Sequence, residues 1–288
     1  MTATTIFPSD MLNDRSCDEA FVAEKSLLRW SDIVSTSLVD HHALTSYGEA
    51  VFRALPSEQS NAVYRGWMMT AEAYELFYTS LASKNINLVT NPENYRAAHY
   101  LNGWINIFDG LTPKSMILDK SATPADIKFA ATFLDSESFI VKDFVKSRKH
   151  EWETACYAPN LDILPNIVAE FIRLQEDFLV GGVVIREFVN LDKQVPEVRV
   201  WWSHDVPVLA TLHPDASDDD VMVEPPAHFL DEVKFAVQVL GAPFVTTDLA
   251  KTASGEWIVI EVGDGQVSGM PSSVSDEDYQ KLIHSVVA

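Results

Sequence analysis

The stretch VTTDLAKTASGEWIVIEVGDGQVSG, residues 245–269, decides how this chain is read. It sets two acids, Asp248 and Glu261, inside apolar, β-prone runs at 244–250 and 257–262. Ser254-Gly255 between the runs reads as a hairpin turn. A hairpin centred on that pair places Asp248 directly opposite Glu261. Like charges facing each other across a sheet repel. Either the register differs or something positive sits between them, and a hard divalent cation held by carboxylate oxygens is the natural candidate. The plainer alternative leaves one acid at the sheet edge, paired with Lys251.

The bulk properties bound the answer. The chain has 288 residues, which suggests one large domain or two smaller ones sharing a cleft. Apolar residues make up 47%, enough for a substantial core. A net charge of −21 repels phosphate backbones, so no nucleic-acid partner is expected, although a local basic patch can still hold a small anion. Cys17 and Cys156 lie far apart without metal-ligand spacing and point to a reducing compartment. No segment has the apolar length of a membrane span, and no basic-then-apolar leader opens the chain. The expectation is a soluble cytoplasmic protein with no membrane partner.

Periodicity predicts alternating elements. NAVYRGWMM (61–69) reads as a strand, and 70–85 as a helix capped by Thr70 with Asn85 at its exit. INLV (86–89) is a short buried strand. Residues 91–108 read as a helix with Asn91 as cap and Pro92 at the first position. This order is the signature of a parallel α/β layer. Residues 1–55 carry a weaker pattern, with 18–34 predicted as an amphipathic helix anchored by Phe21, Leu28 and Ile33. Further on, Thr123-Pro124 starts a helix, and 162–179 places Leu164, Ile167, Val168, Phe171, Ile172 and Phe178 on one helical face. Strands are predicted in SFIVKDFVK (138–146), GGVVIREFVNL (181–191), EVRVWWS (197–203) and PVLATLHP (207–214). A helix at 225–241 ends on Gly241, and a short helix closes the chain at 275–288. PDASDDD (214–220) reads as a solvated acidic loop.

Two further groups of residues carry chemistry. VKDFVKSRKHEW (141–152) crowds Lys142, Lys146, Arg148 and Lys149 into eight positions of a chain with only 21 basic residues. Such an island either binds a polyphosphate or is simply a solvated loop. Arg186 and Arg199 read as a pair in adjacent strands, 181–191 and 197–203. Each is placed either to neutralise developing charge on a transferring phosphoryl group or to pair with an acid across the sheet. On the second strand Val198, Val200 and Trp202 form one face, and Glu197, Arg199 and Trp201 the other.

These signals come in a familiar order. YRGWMM, NPENYRAAH, LTPKS, VKDFVKSRKHEW, GGVVIREFVNL, EVRVW and the opening hairpin together resemble the ATP-grasp superfamily, and within it the R-two-K clade close to the RimK-like ligases. The resemblance covers residues 60–275. It implies an α/β chain of α+β subdomains. An N-terminal α/β pre-ATP-grasp domain with a leading helical segment (1–120) would precede an ATP-grasp domain (121–288) whose mixed and antiparallel sheets enclose a nucleotide cleft. By the resemblance Lys142 contacts the phosphates of ATP, and Glu187, Phe188 and Val189 line the adenine pocket. Asp192 reaches the ribose, and Arg199 and Arg186 stabilise the transition state. Asp248 and Glu261 hold Mg2+. The sequence departs from the pattern in three places. Residues 142–152 contain no glycine, so Lys146, Ser147, Arg148 and Lys149 must act through side chains. Gly263 stands where a third metal ligand is usual, leaving Asp264 or Gln266 to replace it, and Arg96 replaces an earlier lysine.

The implied activity is ATP-dependent carboxylate–amine ligation through an acyl phosphate. The alternatives are a catalytically weak nucleotide-binding module and a small-molecule phosphotransferase on the same scaffold. Arg65, between Tyr64 and Trp67, either pairs with a substrate carboxylate or is a structural arginine stacked on its neighbours.

Overall fold

The computed structural model describes residues 2–217 and 219–288. Three sheets organise it. The first holds β1 (Thr2–Pro8), β2 (Val34–Val39), β3 (Phe52–Arg53), β4 (Ser60–Tyr64) and β5 (Ile86–Leu88), in the order β3-β2-β1-β4-β5. The four strands other than β3 run parallel, as the α/β reading expects. α1 (Glu19–Ser26) and α2 (Ala71–Ala82) lie against this sheet, α3 (Pro92–His99) adds Tyr95 to its core, and α4 (Leu101–Trp104) buries Leu101 and Trp104 in the core of the third sheet. The expected caps form: Thr70 accepts from Ala73 N, and Asn91 from Asn94 N ahead of Pro92.

The leading segment corrects the sequence reading. Its helix is only eight residues long, and Ile33 is 52% exposed instead of anchoring it. The residues before it form β1, the central strand of the sheet. That strand, TATTIFP, carries three threonines, and its residues 3–8, Thr4 and Thr5 among them, are buried. Threonine suits a strand by its branching, and the Thr4 hydroxyl is satisfied by Ser37 Oγ at 2.8 Å.

The second sheet holds β6 (Ser115–Leu118), β7 (Phe139–Lys142), β8 (Tyr157–Ala158) and β9 (Val183–Glu187), ordered β6-β9-β7-β8. Its outer face is covered by α5 (Pro124–Ala131) and α6 (Leu164–Gln175). The predicted face of α6 buries Leu164, Ile167, Val168 and Phe171. Phe178 is not part of it: the helix ends at Gln175, Glu176 adopts φ +46°, and Phe178 stands 82% exposed. Residues Ser115–Leu118, assigned by sequence to the leading unit, pair with β9 of this sheet.

The third sheet, ordered β11-β10-β12-β13, is antiparallel: β10 (Val198–Ser203), β11 (Val206–Leu212), β12 (Phe244–Lys251) and β13 (Trp257–Asp264). Val198, Val200 and Trp202 pack beneath α7 (Ala227–Leu240), which stops at Gly241 with φ +69°. In the acidic run 214–220 Asp218 lies outside the described residues, and Asp215, Asp219 and Asp220 are exposed. The final helix, α8 (Asp276–Val287), returns to bury Tyr279, Leu282, Ile283 and Val286 with Phe7, Val63 and Trp201.

Two buried polar knots fasten the first sheet to the third. Arg65, 1% exposed, donates from Nε to Glu24 Oε1 at 2.5 Å, from Nη2 to Ser268 O at 2.8 Å, and from Nη1 to Gly265 O. Tyr279 OH donates to the same Glu24 oxygen at 2.6 Å. In the second knot Gln266 Nε2 donates to Tyr74 OH at 2.8 Å and to Asp264 Oδ1 at 3.0 Å. Asp264 Oδ2 is buried without a hydrogen-bond partner, and desolvation lifts the Asp264 carboxyl to about 7.

Each knot gives a measurable expectation. Arg65→Met strands the buried Glu24 carboxylate and should cost about 3–5 kcal/mol in urea unfolding. An effect below about 1 kcal/mol would show the pair to be dispensable. For Asp264 the folded state keeps a proton that the unfolded carboxyl, near its ordinary value of 3.8, releases. Its contribution is therefore full at acid pH and disappears as pH rises through about 7. Asp264→Asn should gain on the wild type by roughly 2 kcal/mol between pH 5 and pH 8. Parallel stability curves for the two proteins over that range would refute the assignment.

Candidate nucleotide and metal site

A row of charged side chains crosses the third sheet. Arg199 on β10 faces Asp248 on β12, which faces Glu261 on β13. The facing of the two acids depends on an irregularity that the sequence does not announce. Near the turn Lys251 pairs with Trp257, Ala250 with Ile258 and Leu249 with Val259, one position off a turn centred on Ser254-Gly255. The register then shifts, Ile260 bulges, and Asp248 comes opposite Glu261. Without the bulge Glu261 would move off that position.

The repulsion is met by cations of the protein. Arg199 binds Asp248 through two parallel bonds, Nε to Oδ1 at 2.7 Å and Nη2 to Oδ2 at 2.8 Å, with both side chains buried. Lys142, from the end of β7, donates to both oxygens of Glu261 at 2.9 and 3.0 Å. Its side chain is 5% exposed, and that of Glu261 is 36% exposed. The Lys251 alternative is thereby set aside. The second sheet and the third are thus joined by an ion pair between the end of β7 and β13. His213, which follows β11, brings Nε2 to 3.6 Å from Asp248 Oδ2. Glu197 lies one position before β10, and burial raises its carboxyl against the pull of His213 and Lys149. His213 was not singled out from sequence; only the pairing of β10 with β11 brings it beside Glu197, whose carbonyl accepts from His213 N at 3.0 Å.

Other residues expected in the site lie elsewhere. Arg186 is buried, and its guanidinium is taken by Ser115 Oγ, Ile260 O and Thr112 Oγ1 at 3.1, 2.7 and 2.9 Å. It braces the bulge instead of facing a substrate. Arg65 serves its knot and lies over Trp201 at 5.2 Å, not against Trp67 or Tyr64. Asp264 shares the face of Val262, opposite to Glu261, so the three acids do not converge. Among the described residues no group of three or more His, Cys, Asp or Glu is placed to hold a metal. Gly263 has a local reason: a Cβ there would meet Thr246 Oγ1 at 2.9 Å and Ser268 Oγ at 3.0 Å. Arg96 pairs with Glu75 on the surface at 3.0 Å.

The basic island also disperses. Asp143 Oδ1 accepts from Val145 N and Lys146 N, closing a tight turn after Lys142. That turn sends Lys146 into a separate cavity, while Arg148 folds back onto Gln175 and Glu151. Lys149 is exposed and acts electrostatically on Glu197. At the end of β9 Glu187 accepts from Lys114 N and Asp135 N, and Phe188 just after it packs edge-on to Tyr157 at 4.9 Å. Val189 is half-buried, and Asp192 Oδ1 accepts from Gln194 N at 3.0 Å.

The residues present fit a magnesium ion of one kind. Magnesium is usually held by one or two carboxylates together with substrate phosphates, not by an all-protein cage. Asp248 and Glu261 supply two carboxylates on one face, and the rest of the shell has to come from the nucleotide.

Comparison with known proteins agrees with this architecture. No curated protein matches the chain. The structure resembles a RimK domain ATP-grasp protein from Sphaerobacter thermophilus, with a TM-score of 0.64 at 15% identity over 99% of each chain. It also resembles the D-alanine-D-alanine ligase of Coxiella burnetii, with a TM-score of 0.67 at 9% identity over 100% of this chain and 95% of that one. A third likeness is to the ATP-grasp ligase PsnB, solved with a phosphomimetic variant of its minimal precursor, Mg and ADP, with a TM-score of 0.61 at 10% identity over 99% of each chain. At these identities the likeness is one of fold. The sequence itself goes further, because the family model for the ATP-grasp domain of the R-two-K clade, family 3, matches residues 133–283, just over half of the chain. By that match, and with the fold in agreement, the chain belongs to the R-two-K clade of the ATP-grasp proteins.

Proposed function

We propose that the space between the second and third sheets binds Mg-ATP and carries carboxylate–amine ligation. The observation that supports this most is the meeting of Lys142, Arg199, Asp248 and Glu261 from facing sheets. Asp248 and Glu261 would hold the magnesium, whose contribution is charge neutralisation on the transferring phosphoryl group. Lys142 and Lys149 would bind phosphate oxygens, and residues 187–189 with Asp192 the nucleoside. A polyphosphate arriving beside Lys142 competes for the ammonium that Glu261 now holds, so the apo ion pairs act as place-holders.

In the first step a substrate carboxylate oxygen forms a bond to the γ-phosphorus, the bond to the bridging oxygen breaks, and ADP leaves. An amine nitrogen then bonds to the acyl carbon, phosphate departs, and the amine gives up a proton. Arg199, fixed by Asp248 and by Gly269 O at 3.0 Å, is set to stabilise charge on the acyl phosphate. A second reading, nucleotide binding without turnover, is favoured by one observation: Asp264 and Gln266 are tied into the Tyr74 knot and do not replace the ligand missing at Gly263.

The test is ADP release over a panel of carboxylates and amines, with mass spectrometry for the amide. Asp248→Asn and Glu261→Gln should each lower ADP release by about a hundredfold or more. Glu261 is partly exposed, so its variant separates lost chemistry from lost folding. Full ADP release from both variants would sink the metal assignment. A thermal shift with Mg-ATP but no ADP from any pair would favour the binding module.

A further inference from the structure

A concavity of about 650 Å³ lies between the loop before α1, the end of α1 and the start of β2. It shares no residue with the row of charges on the third sheet. Its volume falls within the roughly 300–1,000 Å³ usual for small-molecule sites. Arg15, Lys25 and Arg29 line it, from the loop, the last turn of the helix and the segment after it, and no acid does. This reverses the balance of a chain with 21 basic and 42 acidic residues. Neighbouring concavities follow that balance: Asp32 and Glu58 line one, and Asp32, Asp276 and Glu277 another.

The fold produces this by sorting the charges of one short stretch. Acids and cations alternate along residues 10–29, yet the acids are engaged elsewhere. Asp10 Oδ1 accepts from Leu12 N and Asn13 N at 2.8 and 2.9 Å, and Asp14 pairs with Arg53. Asp18 accepts from Ala20 N as the cap of α1 and from Trp67 Nε1, both at 2.9 Å. Glu19 stands in the first turn of α1, at the opposite end from Lys25, and Glu24 belongs to the Arg65 knot. Arg29 comes no nearer to an acid than 4.0 Å, from the exposed Asp276.

The rest of the polar lining can donate as well. Ser16 Oγ accepts from Asn13 Nδ2 at 2.8 Å and Ser31 Oγ from Val34 N at 3.1 Å, so each hydroxyl keeps its hydrogen for another partner. The outer edge of β2 is open at Val34–Thr36, because β3 pairs only with Leu38 and Val39. An open strand edge offers backbone N–H groups. Three cations and these donors, without a carboxylate, suit a highly charged oxyanion, and the fork of an arginine matches phosphoryl oxygens. A single phosphate would leave most of the volume empty.

We infer that this cavity is an anion site for a small molecule carrying two phosphoryl groups, held by Arg15, Lys25 and Arg29 with the hydroxyls of Ser16 and Ser31. The site is separate from the proposed nucleotide cleft and does not depend on the ligase reading.

The probe is pyrophosphate, titrated calorimetrically into the full chain with EDTA present and nucleotide absent. Saturable binding is expected. Arg15→Gln, Lys25→Gln and Arg29→Gln should each weaken it about fivefold or more, whereas Lys25→Arg retains it. Orthophosphate, with one phosphoryl group, should bind at least about fivefold more weakly. Arg173→Gln removes an exposed cation from α6 and should change nothing. Location is read separately, since Lys142 would also attract the probe. Cys17 lines the cavity, and Cys156, the other cysteine, is buried. Pyrophosphate should slow alkylation of Cys17 by iodoacetamide, followed by peptide mass spectrometry, and should not do so when Arg15, Lys25 and Arg29 are all replaced by Gln. Arg15 and Arg29 are exposed and Lys25 is half-buried, so melting temperatures report intact folding. No binding at millimolar pyrophosphate, an equal loss with Arg173→Gln, or Cys17 alkylation indifferent to the probe overturns the assignment. With neither nucleotide nor magnesium in the titration, this outcome is separable from that of ADP release.

Discussion

Two carboxylates brought face to face on adjacent strands are the constraint around which this molecule is arranged. Asp248 and Glu261 occupy one cross-strand pair of the third sheet, where like charges repel. The fold answers with a cation from each side. Arg199 comes from the neighbouring strand, and Lys142 from a different sheet. The second of these bonds joins two sheets, so a local electrostatic problem becomes a tie between two layers. The bulge at Ile260 permits the arrangement, and Arg186 holds the carbonyl of that bulge. A buried arginine thus supports the geometry of acids with which it makes no hydrogen bond.

Scarce positive charge goes mainly to architecture. With 21 basic residues against 42 acidic ones, each buried cation is informative. Arg65 fastens the first sheet to the segment after β13, Arg186 braces the hairpin, and Arg148 closes onto α6. Lys142 and Arg199 are buried against Glu261 and Asp248. The segment after β13 is pulled the same way: Gln266 and Asp264 turn to Tyr74, and Thr246 with Ser268 fill the space beside Gly263. Among the described residues no group of three or more His, Cys, Asp or Glu is placed to hold a metal, so the magnesium proposed above would have to arrive with its nucleotide.

The legible part of the site followed from alternation and turn chemistry. Asp248 and Glu261 were paired by sequence, and the structure pairs them, although the pairing near the turn is one position out of that register and the bulge makes up the difference. Lys142 was expected to point inward from its strand, and it does. Helix caps at Thr70, Asn91, Thr123 and Gly241 were readable because each depends on one or two neighbouring residues. β1 was not readable, because Thr4 looks polar until a partner strand supplies Ser37. His213 and Thr112 were invisible for a similar reason, since each gains its meaning from a residue more than thirty positions away.

The sequence by itself determined the alternating elements, the family pattern and the two facing acids, because periodicity, caps and hairpin turns act over a few residues. Tertiary structure decided which cations stay available. Arg65, Arg186 and Lys146 look like Lys142 and Arg199 when read along the chain. Burial and the nearest carboxylate or carbonyl then assign the first two to structure and turn the third into another cavity. Those partners come from other sheets and from chain turns, and the free energy of a buried charge depends on what surrounds it in space.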